Sequence, residues 1–456
     1  MLAKLSASQV LIISALIFSV ELTVLAIFLI QRKLFHWLNV GFWSWVAFFL
    51  YFILSPLGAV LSGNLENHDF YLNLSGGPRH ALWITFVIVI GILVFFIVYF
   101  RTHPKSIKLP HSINPSPKYP RFWLWLFLFL GFGGFSLIAS RSGITSWGGD
   151  ATVISGRFSG EVTGYQQNGY VFMFYPIILL NLWPKPAYRV WGVLLGLVFL
   201  VFSLPHAWSR YITISMIIAL VITYLIKQKK TSPPIGFIAI LLFCVLLFQA
   251  RGHTTWDLSN IGASISETVT DIKGQGLALI SGVDTQMLPI FWVESYLTDT
   301  WTGHTFGIPL LNYILFGWIP GRFFPQKYFM VDWLNAQQES YPLIYSQVLY
   351  GSKSSLIGSF YQMGGFIGVI LLMAGAGWLC RRFDAFFDPD TPIITKALGV
   401  TLMSTFWMVW GSSETWGLQS MGTMAMPYLA GVLFFFRSWS VNPVPPIQKK
   451  AKSEIR

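Results

Sequence analysis

Charge is what this sequence has least of. Of 456 residues only 11% are charged, 18 acidic against 30 basic. That leaves too little polar surface for a water-soluble domain of this length. With 54% hydrophobic residues and a mean hydropathy of +0.60, lipid is the expected solvent. Cysteine is nearly missing: Cys244 and Cys380 lie in or beside apolar runs, which excludes a disulfide framework and gives neither the setting of a catalytic thiol. The eight histidines show no ligand spacing, so no structural or catalytic metal is expected, and no other cofactor. A nucleophile elbow, a phosphate-cradling loop and a dinucleotide fingerprint are all absent from the sequence, and nucleotide chemistry has no support. Internal repeats of the kind that build transporters are also missing, and compositional bias is confined to a basic, proline-containing tail at 438–456. A net charge of +12 would point to nucleic acid in a soluble protein. Here its distribution decides, and no nucleic-acid partner is expected.

Apolar runs and aromatics are abundant, with 40 Phe, 20 Trp and 18 Tyr, a load that suits headgroup-level belts and ring-lined cavities. A helix needs about 20 apolar residues to cross roughly 30 Å of hydrocarbon. About eleven runs meet this, at 11–30, 40–61, 82–100, 122–140, 169–184, 190–205, 211–226, 234–250, 355–379, 392–410 and 418–436. The first is read as a span and not a signal peptide, since Gln31-Arg32-Lys33 follows it in place of a small-residue cleavage site. Alternating the runs puts 20 basic residues and four carboxylates on one side, and 10 basic with 13 acidic residues on the other. By the excess of Lys and Arg in cytoplasmic loops, the N-terminus is then outside and the C-terminus inside. The expected architecture is one all-α polytopic membrane domain over 1–456. A large external loop at 251–354, between helices 8 and 9, carries short interfacial helices, among them Phe306 to Ile319, which is too brief to span.

Arginine is the majority choice among the outer basic residues, six of ten: Arg79, Arg141, Arg157, Arg210, Arg251 and Arg322. Its planar fork binds phosphate oxygens bidentately, so arginines converging at the outer interface suit an anionic, phosphate-bearing lipid. For any one of them, pairing with an outer carboxylate or a headgroup explains its presence equally well. Glu21 sits at mid-membrane, where a carboxyl is either functional or bonded to a neighbouring helix. Asp388-Pro389-Asp390 reads as a turn between two spans. His206, His253 and His304 fall outside and are candidates for sugar hydroxyls or for ordinary surface roles. Trp292, Trp301, Trp318 and Trp333 are candidates for stacking on sugar faces or for interfacial anchoring.

Two stretches carry a resemblance. Trp318-Ile319-Pro320-Gly321-Arg322-Phe323-Phe324-Pro325-Gln326-Lys327 and Ser354-Ser355-Leu356-Ile357-Gly358-Ser359-Phe360-Tyr361-Gln362-Met363-Gly364-Gly365 resemble the oligosaccharide repeat-unit polymerases, including those of O-antigen and enterobacterial common antigen. Ser209-Arg210, Arg251 and Gly411-Ser412-Ser413-Glu414 are similar to further family features, while Ser359 stands where relatives often carry Glu. The resemblance implies a bundle of the lipid-dependent glycosyltransferase type in a bacterial inner membrane, with its active site facing the periplasm. Its implied reaction moves a growing glycan from undecaprenyl diphosphate to a sugar hydroxyl of an incoming lipid-linked repeat, without metal or cofactor. A flippase and a chain-length regulator are the implied protein partners.

On that reading Arg210, Arg251 and Arg322 hold the leaving diphosphate, supported by Arg157 and Lys327. Glu414, the sole carboxylate in the short outer turn between the last two runs, is the expected base, with Asp332 and Glu339 competing for that role or for substrate binding. His304 and Tyr361 are expected on the substrate. An O-antigen ligase uses the same donor and stays open as an alternative, as does a transporter of lipid-linked oligosaccharide.

Overall fold

The computed structural model describes residues 5–62, 66–104, 122–142, 146–147, 169–203, 210–233, 256–257, 287–316, 355–388, 390–411 and 414–432, with single positions at 266, 270, 319, 323, 324, 326 and 330. Among these the chain is mainly helical, and one two-residue antiparallel pair joins Ser146–Trp147 to Trp256–Asp257. The helices are α1 (Ala7–Gln31), α2 (Val40–Phe49), α3 (Ser55–Ser62), α4 (Glu66–Leu74), α5 (Pro78–Arg101), α6 (Phe122–Ser142), α7 (Phe174–Leu182) and α8 (Pro186–Ser203). They continue as α9 (Arg210–Gln228), α10 (Met287–Leu297), α11 (Ile308–Phe316), α12 (Leu356–Phe383), α13 (Ile393–Ser404), α14 (Phe406–Trp410) and α15 (Glu414–Ala430).

Four stretches are long and apolar enough to cross a bilayer: Ala7–Gln31, Val40–Leu61, Pro78–Arg101 and Leu356–Phe387. The protein is therefore an all-α membrane protein. Shorter apolar helices occupy Leu124–Gly134, Val171–Leu182, Pro186–Leu200, Thr213–Gln228 and Ile393–Ser404. Each coincides with a run read from the sequence, whereas the run at 234–250 and the tail at 438–456 lie outside the described residues. On the outer surface of α1, Leu16, Val20, Val24, Ile27 and Ile30 are exposed, as side chains facing lipid should be.

Helix termini sort the bundle into two ends. At one, Arg32 Nη1 donates to the Phe100 carbonyl at 3.2 Å, and the Trp37 amide donates to the Thr231 carbonyl at 3.1 Å. At the other, the Ala7 amide donates to Asp69 Oδ1 at 3.0 Å. The first is the basic end, and a closed knot of polar groups pins it. Asp384 Oδ1 accepts from the Val40 amide at 2.9 Å, while its Oδ2 accepts from Asn39 Nδ2 at 3.2 Å, from the Tyr99 hydroxyl and from Arg381 Nη1 at 2.8 Å. A carboxylate at the start of α2 meets unsatisfied amides and the positive end of the helix dipole. Every polar group in the knot has a partner, so its role is to fasten three spans.

Close packing sets the middle. α5 and α12 make the most extensive helix contact among the described residues, because glycine removes side chains from both surfaces. A Cβ at Gly377 would fall inside the Phe95 carbonyl oxygen and lie 3.1 Å from the Phe95 carbonyl carbon, and one at Gly91 would lie 2.8 Å from Val369 Cγ1. Between α2 and α3 the second span opens into a π-helical turn, Leu50–Leu54. Glu21 lies buried in α1, and neither carboxyl oxygen has a hydrogen-bond partner. The neighbouring-helix bond offered for Glu21 as one alternative is thus not made among the described residues.

Candidate functional site

At the end opposite the basic knot, polar side chains from three segments meet at a broken helix. α12 starts with Ser355, whose hydroxyl accepts from the Gly358 amide at 3.2 Å, a standard N-cap. Two turns later the helix fails at Gly364 and Gly365, where Gly365 has φ of +61°, a conformation that disfavours a side chain. The freed carbonyls are used. Gln362 O accepts from the Thr305 amide and Met363 O from the Phe306 amide, both at 2.9 Å. Phe306 pays with φ of +50°, uncommon for a bulky residue and a frequent companion of functional sites. Broken backbone at membrane depth is tolerated where protein buries it or where it lines a polar cavity.

The second segment is α10 with the π-helical turn Thr298–Thr302 that follows it. π turns concentrate at functional positions. Glu294 is fully buried, and its Oε2 accepts from Gln362 Nε2 at 3.2 Å. One turn on, Asp299 Oδ2 accepts from the Tyr361 hydroxyl at 2.7 Å. Ser295 Oγ lies 2.9 Å from His80 Nε2, at the start of α5. The third segment, Gly303 to Gly307, brings His304 over Gly365 and against the Tyr361 ring, with centroids 6.1 Å apart. Its Nε2 stands 3.9 Å from Asp299 Oδ1. Two layers result: a dry floor of Glu294 and Gln362, and above it Asp299 and His304, both partly exposed, with Tyr361 buried against the two. Trp301 and Phe306 are exposed beside the upper layer.

Comparison with protein-family models, curated proteins and solved structures gave no match. The site is therefore argued from its own chemistry.

Of the residues expected from sequence, His304 and Tyr361 come together here. Arg210 opens α9 and Glu414 opens α15, with their side chains outside the description. Arg157, Arg251, Arg322, Lys327, Asp332 and Glu339 lie outside the described residues, as do His206, His253, Trp318 and Trp333. Gly411, three residues before Glu414, abuts the Tyr51 ring, at the middle of the second span. Trp292 is fully buried and has no face for a sugar, whereas Trp301 is exposed. Asp299 and Glu294 were missed, because both sit in what reads as a long solvated loop. The signal for Glu294 was present in Met287-Leu288-Pro289-Ile290-Phe291-Trp292-Val293, an apolar helix that buries the carboxylate following it. Among the described residues no group of three His, Cys, Asp or Glu side chains is placed to hold a metal ion.

Proposed function

We propose that the protein polymerises lipid-linked oligosaccharide repeats on the external face of a bacterial inner membrane, as an eleven-span glycosyltransferase. One observation carries the reading. The stretch that resembles the repeat-unit polymerases, Ser354 to Gly365, is the same stretch that breaks in the membrane and holds Tyr361 and Gln362 against two carboxylates. The external compartment has no nucleotide sugars, so transfer there draws on a donor whose activated bond travels in the lipid. A polyprenyl diphosphate supplies that leaving group. Its departure places charge on phosphate oxygens, which Arg210, Arg251 and Arg322 stabilise, with Arg157 and Lys327 around them. Glu414 takes the proton of the attacking sugar hydroxyl, with Asp332 and Glu339 on the substrate. The pocket around Asp299, Tyr361 and His304 receives the incoming glycan. The basic knot faces the cytoplasm, and the chain works beside a flippase and a chain-length regulator.

A deletion strain separates this from its neighbours. Loss of a polymerase leaves single repeats on the final acceptor, whereas loss of a ligase leaves polymer on undecaprenyl diphosphate, and loss of a transporter leaves repeats on the inner leaflet. Glu414→Gln then tests the base: near-complete loss of polymer at normal protein abundance is expected, and polymer of normal length and amount refutes the assignment.

A further inference from the structure

A carboxylate and an imidazole that stop short of each other leave a gap of definite size. Asp299 Oδ1 and His304 Nε2 are 3.9 Å apart, too far for a hydrogen bond, yet one oxygen placed about 2.8 Å from each bridges them. Both walls are held. Asp299 is fixed through its other oxygen by the Tyr361 hydroxyl at 2.7 Å. His304 is fixed by the Tyr361 ring and by Gly365, where a Cβ would sit 3.1 Å from the imidazole. Closing the gap by side-chain rotation would sacrifice those contacts. Solvent reaches it, since the Asp299 and His304 side chains are 33% and 31% exposed.

The chemistry of the walls selects the occupant. The Asp299 carboxylate only accepts. His304 Nδ1 is buried and has no partner among the described residues. An orphaned buried N–H is rarer than an orphaned acceptor, which places the proton on Nε2, facing the gap. An acceptor opposite a donor, one oxygen apart, asks for a group that does both, and a hydroxyl does. Two residues beyond His304, at the end of the segment that clasps the broken helix, Phe306 is 81% exposed. Hydroxyl recognition near an exposed aromatic side chain fits a pyranose, whose C–H face is apolar and whose rim is polar.

We propose that the Asp299–His304 gap is a sugar subsite, in which one ring hydroxyl donates to Asp299 Oδ1 and accepts from His304 Nε2. That the ring belongs to an incoming lipid-linked repeat rests on the glycosyl-transfer reading, while hydroxyl binding itself does not. Tyr361 is a positioning residue that acts through Asp299.

The test uses the full chain in phospholipid nanodiscs with methyl pyranosides of glucose, galactose, mannose and N-acetylglucosamine, followed by saturation-transfer NMR and tryptophan fluorescence. The control is 2-methoxytetrahydropyran, which keeps the ring without hydroxyls. At least one pyranoside binds and the control does not. Asp299→Asn, which still accepts from Tyr361, and His304→Gln each weaken that binding about tenfold. The double variant is no worse than the weaker single, because both walls hold the same hydroxyl. The subsite is overturned if no pyranoside binds the wild type, if both single variants bind like it, as when water alone fills the gap, or if the two losses add. Failure of the polymerase reading looks different: pyranosides bind, yet polymer in cells is unchanged by deletion of the gene. Polymer lost on deletion but unaffected by Asp299→Asn and His304→Gln leaves that reading standing and removes the subsite.

Discussion

Replacing Gly377 by alanine inserts one methyl group where α12 touches α5. The new Cβ would lie 3.1 Å from the Phe95 carbonyl carbon and 3.3 Å from its Cα, against about 3.5–4.0 Å for carbon atoms at optimal separation. The obstacle is backbone, with the Phe95 carbonyl oxygen closer still, and it cannot rotate aside, so the two spans must part by about an ångström. Separation of that order forfeits a quarter or more of each dispersion contact along the seam. Overpacking of this kind costs about 1–3 kcal/mol. Alanine also gains about 1 kcal/mol over glycine in a helix interior, and Gly375 isolates that gain. It lies in the same helix, with nothing within 4 Å of its Cβ position. The difference between Gly377→Ala and Gly375→Ala is then the clash alone. Thermal midpoints of the purified variants in one detergent, read from the monodisperse peak on size exclusion, should put Gly377→Ala below the wild type and Gly375→Ala at or above it. Equal midpoints for the two alanines would refute the close crossing of α5 and α12.

Three further outcomes are expected. Glu21→Met removes a carboxyl that has no partner among the described residues and raises the thermal midpoint, whereas a lower midpoint would mean that the carboxyl is bonded after all. In a background with Cys244 and Cys380 replaced by serine, Thr302→Cys and Ser146→Cys react with an impermeant maleimide in spheroplasts and Lys229→Cys and Arg382→Cys do not; the reverse pattern would move the proposed site to the cytoplasm. Arg210→Lys, Arg251→Lys and Arg322→Lys each impair polymer formation nearly as much as alanine does, because an ammonium cannot reproduce the bidentate fork. Full activity in all three lysine variants would end their assignment to a diphosphate.

The spans were legible in the sequence because lipid enforces long apolar runs, and the helices found at 7–31, 40–61, 78–101 and 356–387 follow them closely. Phe306 to Ile319 was legible as too short to span, and α11 occupies its centre with no buried residue. The break at Gly364-Gly365 was visible as a glycine pair within a motif but not as a break, since a strand-like clasp from Thr305 and Phe306 is a long-range event. For the same reason Asp299 looked like any loop acid. Only folding back of the segment after α10 gives it Tyr361 and His304 as neighbours. The basic knot escaped notice because Asp384 was counted as one charge among many, whereas its partners Asn39 and Tyr99 come from two other spans.

The glycine seam between α5 and α12 also bears on traffic within the bilayer. Two helices whose backbones touch leave no slit for an isoprenoid tail, so on the proposed function a lipid-borne substrate does not slide in from the membrane plane between them. The doorway has to be on another flank. Near the polar site, α11 presents an apolar surface, with Ile308, Leu311, Ile314 and Leu315 exposed. A glycan entering there would meet Phe306 and then His304 head first, with its lipid still dissolved in the outer leaflet.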